Sequence, residues 1–311
     1  MKMNILIPAA LLAAFTFSAC GSDGDSDNKE TAKTESANVE SFARDSDNIQ
    51  TAGIDPANVE WVAIEAHEKY ADPELVKAFP HDSLGNTFEA DYKLLLPKTK
   101  DGSEHPFLKE VVLKLMSRLD TLAYTKKEAP EVLLEQYVRE QLDKHKAMVK
   151  DLLPVFEDPR PYKFVEEHSL IDSLVYTQKG IVSIISQWYA FTGGAHGNFG
   201  DVGWNFDLNR AIILSQRDLF EEESFGEING LLRRTLMNDY GVPDAKVLKD
   251  SLHIDAAYIR MNDNFYFDGD GITYIYQPYE AAPYAVGQIL VHLPFTALAP
   301  YLRDEYATLA R

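Results

Sequence analysis

The residues with the clearest capacity for chemistry lie in Thr192-Gly-Gly-Ala-His-Gly197. Glycines let backbone amides approach a ligand and an imidazole titrates near neutral pH, so Gly193, Gly194 and His196 have the makings of an anion-binding or acid–base loop. A tight turn between aromatic strands needs the same glycines. A general base also needs a nucleophile or carboxylate within hydrogen-bond reach, which spacing does not identify. The loop is therefore read as a structural turn, and no catalytic residue is assigned. Around it stand Trp188, Tyr189, Phe191, Phe199, Trp204 and Phe206. Most of these are read as core, while any left exposed would suit sugar stacking or a protein hot spot. Gly193, Gly194, His196, Asn198 and Phe199, with Tyr279, Glu280 and Tyr284 further along the chain, are the candidate ligand-binding residues.

Asp263, Asp268 and Asp270 invite a calcium reading, because hard cations take several oxygens. The twelve-residue loop and its terminal bidentate glutamate are missing, however, and Asp268-Gly-Asp-Gly271 is hairpin-turn chemistry. His67-Glu68 lacks the second histidine of a zinc-protease helix, and His145 lies on an apolar helical stripe, the place of a hydrogen-bonded core residue. No metal site and no cofactor are assigned. Glu221, Glu222 and Glu223 are read as an acidic approach to a helix N-terminus, with a patch for a cationic partner as the alternative.

The elements that must position these residues follow from periodicity, and they predict an α+β fold of two mixed domains, antiparallel sheets packed with helices. Val59 to Ile64 and Phe88 to Leu96 read as strands, the second closed by Pro97. Pro106 opens a helix with Leu108, Val111, Val112, Leu115, Leu119 and Leu122 on one stripe, and a second helix runs from Pro130 to Leu152. Pro154, Pro159 and Pro161 mark the boundary between domains at 59–157 and 158–311. Beyond it, Tyr162 to Thr177 and Ile181 to Thr192 read as long strands. Val202, Trp204, Phe206 and Leu208 alternate with polar residues, the pattern of a strand with one wet face. A helix starts at Ser224, with Glu227 at capping-box spacing, and Gly241 is placed to end it. Strands at Asn264–Phe267, Ile272–Gln277 and Ile289–Leu293 and a C-terminal helix carrying Leu298, Leu302, Tyr306 and Leu309 complete the pattern.

The N-terminus speaks to compartment. Lys2, the apolar stretch Ile5 to Phe17 and Phe17-Ser-Ala-Cys20 read as a lipoprotein signal at 1–19 with Cys20, the one cysteine of the chain, as the lipidated residue. Thirteen apolar residues at ~1.5 Å rise fall short of a ~30 Å hydrocarbon core, so the expected anchor is lipid and not a helix. Residues 20–58 are rich in Ser, Thr, Asp, Glu and Gly and read as an acidic stalk. With 30 Lys plus Arg against 49 Asp plus Glu, the net charge of -19 disfavours nucleic acid and suits a cationic partner.

Five segments occur in an order that resembles one family: Thr192–Gly197, Asn205-Phe-Asp-Leu208, Leu214-Ser-Gln-Arg-Asp-Leu-Phe220, Tyr276-Gln-Pro-Tyr-Glu280 and Ala282-Pro-Tyr-Ala-Val-Gly287. They resemble the extracellular domain of unknown function shared by RsiV-type anti-sigma factors and PdaC-type peptidoglycan deacetylases, over roughly Pro161 to Leu302. Val59 to Leu153 looks like the PdaC-type companion domain. The resemblance implies an α+β module of the bacterial cell envelope that binds a protein or cell-wall ligand, with lysozyme or a cell-wall glycan as candidate partners. The expected localisation is lipid-anchored, at the outer membrane, periplasmic or surface-exposed. No membrane-crossing segment is expected to hold a sigma factor, and no deacetylase domain or histidine pair four residues apart is present to supply that family's zinc site. A noncatalytic binding module is thus the expectation, with a glycan-active enzyme, or an accessory protein to one, as its rival.

Overall fold

In the computed structural model, which describes residues 52–72, 86–119, 128–155 and 164–311, β1 (Val59–Ala71) and β2 (Asn86–Thr99) pair antiparallel along their whole lengths. Phe88, Ala90, Tyr92, Leu94 and Leu96 alternate inward on β2 and are buried. Against that face pack α1 (Pro106–Met116) and α2 (Pro130–Leu152), each opened by the proline that the sequence pattern pointed to. Leu108, Val111 and Leu115 of α1 and Leu134, Val138 and Val149 of α2 are buried as their helical spacing requires.

Two features of β2 differ from expectation. The strand runs through Pro97, which pairs opposite Trp61. The Leu95 N–H points away from β1, toward Asp172, so the proline nitrogen two residues on faces a side where no ladder continues. The other difference is direction. β3 (Phe164–Gln178) lies beside β2 in parallel, from Asn86↔Phe164 to Lys93↔Ile171. A parallel pair needs a long crossover, and the segment carrying α1 and α2 provides it. The expectation of antiparallel sheets therefore holds only for the remaining strands.

β3, β4 (Ile181–Phe191), β5 (Asn198–Asp207) and β6 (Ile212–Ile213) continue the same sheet antiparallel, in the order β1-β2-β3-β4-β5-β6. One sheet thus holds strands from both sides of residue 157. Part of the segment read as a stalk is packed: Ile54 is buried and its N–H donates to the carbonyl of Leu208, just past β5, at 2.8 Å. The three prolines taken as a boundary begin at Pro154, and Pro159 and Pro161 lie outside the described residues, as do Cys20 and the whole signal segment.

A second sheet, β7 (Phe265–Phe267), β8 (Gly271–Tyr276) and β9 (Ile289–Pro294), is antiparallel throughout. Around it lie α3 (Gln216–Leu219), α4 (Phe225–Asp239), α5 (Ala245–Leu252) and α6 (Phe295–Leu298). Leu219, Phe220, Ile228, Leu232, Leu236, Phe265, Phe267, Tyr274 and Tyr276 form its core. The capping box belongs to α3, where Ser215 and Asp218 satisfy each other's backbone amides, and not to α4, where Ser224 is already helical and caps nothing with its side chain. The C-terminal stripe is not one helix. Pro300 lacks the N–H that would extend α6, and residues Asp304–Ala310 form a 3-10 turn instead.

The two sheets meet at β5 and β7. Asn205, expected on a wet face, is 1% exposed. Its Nδ2 donates to the Phe265 carbonyl at 2.7 Å, while Ser183 Oγ donates to its Oδ1 at 2.6 Å and accepts the Phe267 N–H at 3.1 Å. Asp207, 3% exposed, accepts from Tyr306 Oη. The polar face of β5 is covered because these side chains give the unpaired backbone of β7 its hydrogen bonds. Gly203 sits in the same seam, and a Cβ there would collide with the Phe265 carbonyl. Gly203→Ala should therefore cost about 1–3 kcal/mol, read from the urea midpoint; an unchanged midpoint would mean that the seam gives way. Among the described residues no helix is long and apolar enough to cross a membrane.

Candidate functional site

The segment leaving β4 turns at Gly193 and Gly194, whose φ values of 95° and 99° are left-handed and explain the glycines as turn-formers. The chain then brings His196, Asn198 and Phe199 to the start of β5, beside the 277–287 connection between β8 and β9. Tyr284 is the hub. The His196 ring stacks on it with centroids 3.9 Å apart and planes at 19°. Phe199 meets it edge-on at 5.7 Å, and Tyr279 lies at 5.6 Å on another side. Tyr284 Oη donates to the Gly197 carbonyl at 2.5 Å, and His196 Nδ1 lies 3.0 Å from the same oxygen.

Tyr279 is held outward by the turn Gln277-Pro278-Tyr279-Glu280. The Glu280 N–H donates to the Gln277 carbonyl at 3.0 Å, Pro278 occupies the second position, and Tyr279 takes φ 70° at the third. This is a type II turn with an aromatic residue where glycine or asparagine is usual, a strained choice of about 1–3 kcal/mol. The side chain that results is 49% exposed. Glu280 closes the turn by accepting the Gln277 N–H at 2.9 Å. Although the residue is exposed as a whole, desolvation of its carboxyl raises its pKa.

Thus His196, Phe199, Tyr279 and Tyr284 come together as one aromatic surface, and Glu280 follows Tyr279 with its carboxylate turned back onto the turn. Asn198 stands exposed beside it, opposite Ala190, while at Gly193 and Gly194 an added Cβ would meet open space. Sequence reasoning missed what lies beneath. Gln277 Nε2 donates to the Asp201 carbonyl at 2.5 Å and its Oε1 accepts the Asp201 N–H at 3.4 Å, which clips the 277–287 connection to β5. Burial raises the Asp201 carboxyl, opposed by a hydrogen bond from Gln187. Only the placement of Gln277 in a segment already singled out could have pointed to this clip.

Other residues considered for chemistry have structural work. Asp263 accepts the Gln216 N–H at 3.0 Å, and Gln216 also binds the Asn262 carbonyl and Tyr274 Oη, so Leu214–Phe220 is a strap across the second sheet. Glu221 pairs with Arg303 at 2.5 Å and Glu222 with Arg217, which neutralises part of the acidic patch. His145 is 1% exposed and reaches Glu166 at 2.8 Å, the bonded core role that its position implied. Asp268 and Asp270 lie in the hairpin turn as read, but His292 of β9 joins them, which sequence spacing did not suggest.

Residues 217–296 match the model of a family described as a protein of unknown function (DUF3298). That match includes Tyr279, Glu280 and Tyr284 but not the 193–199 half of the aromatic surface. Among solved structures, a DUF3298 family member from Bacteroides fragilis NCTC 9343 superposes with a TM-score of 0.66 at 19% identity, covering 82% of this chain and 96% of that one. A DUF3298 family protein from Pseudomonas aeruginosa PAO1 gives a TM-score of 0.44 at 18% identity, covering 79% and 95%. No curated protein matches the chain. The first likeness shows that the α+β fold is shared across both sheets, and residues 217–296 carry a DUF3298 domain.

Proposed function

We propose that this chain is a noncatalytic, lipid-anchored protein of the bacterial cell envelope, held through Cys20, whose C-terminal part captures a protein or cell-wall ligand on the His196–Tyr284–Tyr279 surface. The observation that carries this is Tyr279. A strained, left-handed backbone holds a large aromatic side chain half exposed, beside a histidine and a second tyrosine. Strain of that kind, found next to an exposed aromatic group, is a reason to look for a ligand. A cationic protein of the lysozyme type is the first ligand class, supported by the net charge of -19 and by the RsiV-like motif order. A glycan is the second, supported by the ring faces themselves.

Calorimetric titration of the purified chain with hen-type lysozyme and with soluble cell-wall fragments separates the two. Lysozyme capture should be micromolar or tighter, with an association rate that falls steeply with salt because steering is screened over ~10 Å at 0.1 M. Tyr279→Asn is the informative variant, since asparagine keeps the left-handed turn and removes the ring. It should weaken binding of the true ligand at least ~10-fold, as loss of a hot-spot aromatic does, with the melting temperature within a few degrees. Unaltered affinity in that variant would move the binding surface elsewhere, and heat from neither ligand would withdraw both classes.

A further inference from the structure

We propose that Asp268, Asp270 and His292 form a binding site for a divalent first-row transition ion of the zinc type. The three donors come from two elements. Asp268 and Asp270 lie in the turn between β7 and β8, and the register Thr273↔His292 sets the imidazole of β9 beside that turn. His292 Nδ1 is 2.9 Å from Asp268 Oδ2 and His292 Nε2 is 3.3 Å from Asp270 Oδ1. One donor atom from each of the three residues lies within 4.8 Å of the other two. The two carboxylates face different nitrogens of the ring and an ion takes only one of them, so the exposed Asp270 side chain has to swing toward the Nδ1 edge for the triad to close on a cation with ligands at ~2.0–2.2 Å.

The first ligand is oriented before any ion arrives. Asp268 Oδ1 accepts the Gly271 N–H at 3.0 Å, which fixes the turn, and Oδ2 is left facing the imidazole with Thr273 Oγ1 donating to it at 2.6 Å. Such support of a ligating carboxylate is the usual companion of a metal site. An independent observation concerns Gly271. Its φ is not left-handed, so its backbone does not call for glycine, yet a Cβ there would lie 2.5 Å from His292 Cε1 and 2.9 Å from Nε2 and would also strike the Leu293 carbonyl. Glycine is needed for space, and part of that space is occupied by the imidazole that completes the triad.

Chemistry selects the ion class. One imidazole nitrogen with two carboxylates is neither the all-oxygen shell that calcium and magnesium prefer nor a thiolate site, and three protein ligands leave a position for water. The side chains of His292 and Asp270 are 39% and 83% exposed, so an ion can reach the site and keep that water.

The test is calorimetric and thermal titration of the untagged full chain with zinc, alongside Asp270→Asn and His292→Gln. The expected result is one saturable micromolar site, a melting temperature raised by roughly 5 °C at 100-fold excess over Kd, and a loss of affinity of at least ~10-fold in each variant. Asp270 is exposed, so Asp270→Asn decides the matter even if His292→Gln does not fold. Absence of saturable binding below 1 mM, or equal binding by wild type and Asp270→Asn, would overturn the site. Tighter binding of calcium than of zinc would overturn the ion class.

Discussion

Replacing Arg118 by methionine is expected to remove about 3–5 kcal/mol of stability, the cost of leaving a buried charge without its partner. The Arg118 side chain is 10% exposed and Asp172 fully buried, and they pair through both guanidinium ends, Nη1 to Oδ1 at 2.6 Å and Nη2 to Oδ2 at 2.9 Å. Asp172 also accepts from Ser186 Oγ at 2.6 Å and from the Leu95 N–H at 2.9 Å, and Trp204 Nε1 donates to Ser186 Oγ at 3.0 Å. Arg118, two residues past the end of α1, is thereby tied to β2, β3, β4 and β5 at one point. Urea unfolding of Arg118→Met measures the loss, and Arg118→Met with Asp172→Leu should lose less than the single change, because no orphaned carboxylate remains. A single-variant loss below about 1 kcal/mol would show the pair to be dispensable.

The second large effect depends on pH. Burial would raise the Glu166 carboxyl, but hydrogen bonds from His145 and His168, each at 2.8 Å, outweigh it and bring its pKa down to about 2. A carboxylate whose pKa is lowered on folding stabilises the folded state fully above its unfolded value. That stabilisation fades as pH falls from about 4.5 toward 2 and here amounts to about 2–3 kcal/mol. Its side chain is 17% exposed, so solvent screening is modest. Glu166→Gln should therefore be less stable by about 2 kcal/mol at pH 7 and should show a shallower decline between pH 4.5 and 2. Denaturant midpoints across that range check this; curves that stay parallel for wild type and variant would assign the acid sensitivity to other carboxylates.

Much of the framework was legible because it is local. The stripe of α2 and its opening proline located the helix at about Pro130–Leu152, alternation located much of β5, and Asp268-Gly-Asp-Gly271 located the β7–β8 hairpin. What failed was whatever depends on a distant partner. Alternation in β5 implied one wet face, but it cannot reveal that the edge of β7 turned away from β8 takes its hydrogen bonds from Asn205 and Ser183 and covers them. Ser215-x-x-Asp218 and Ser224-x-x-Glu227 are equivalent as strings, and only the backbone separates them: Ser215 is extended and caps α3, whereas Ser224 is already helical. The aromatic surface was half visible. Residue type pointed to His196, Phe199, Tyr279 and Tyr284, while their meeting rests on Gln277 gripping Asp201 across 76 positions. His292 was invisible as a neighbour of Asp268 because 24 residues separate them and only the β8–β9 register closes the gap.

The parallel alignment of β2 with β3 also sets an order of events during synthesis. The β1–β2 hairpin is complete once residue 99 has emerged, yet one side of β2 from Asn86 to Lys93 has no partner until residues 164–171 follow. For the time taken to make some seventy further residues, that open flank is a template for any extended chain nearby. The helices α1 and α2 are made in that interval and can cover the apolar face of the hairpin, but not its hydrogen-bonding flank. A nascent chain thus relies on its own later half to silence its earlier half, so an interruption of synthesis between the two would release a species that recruits neighbours.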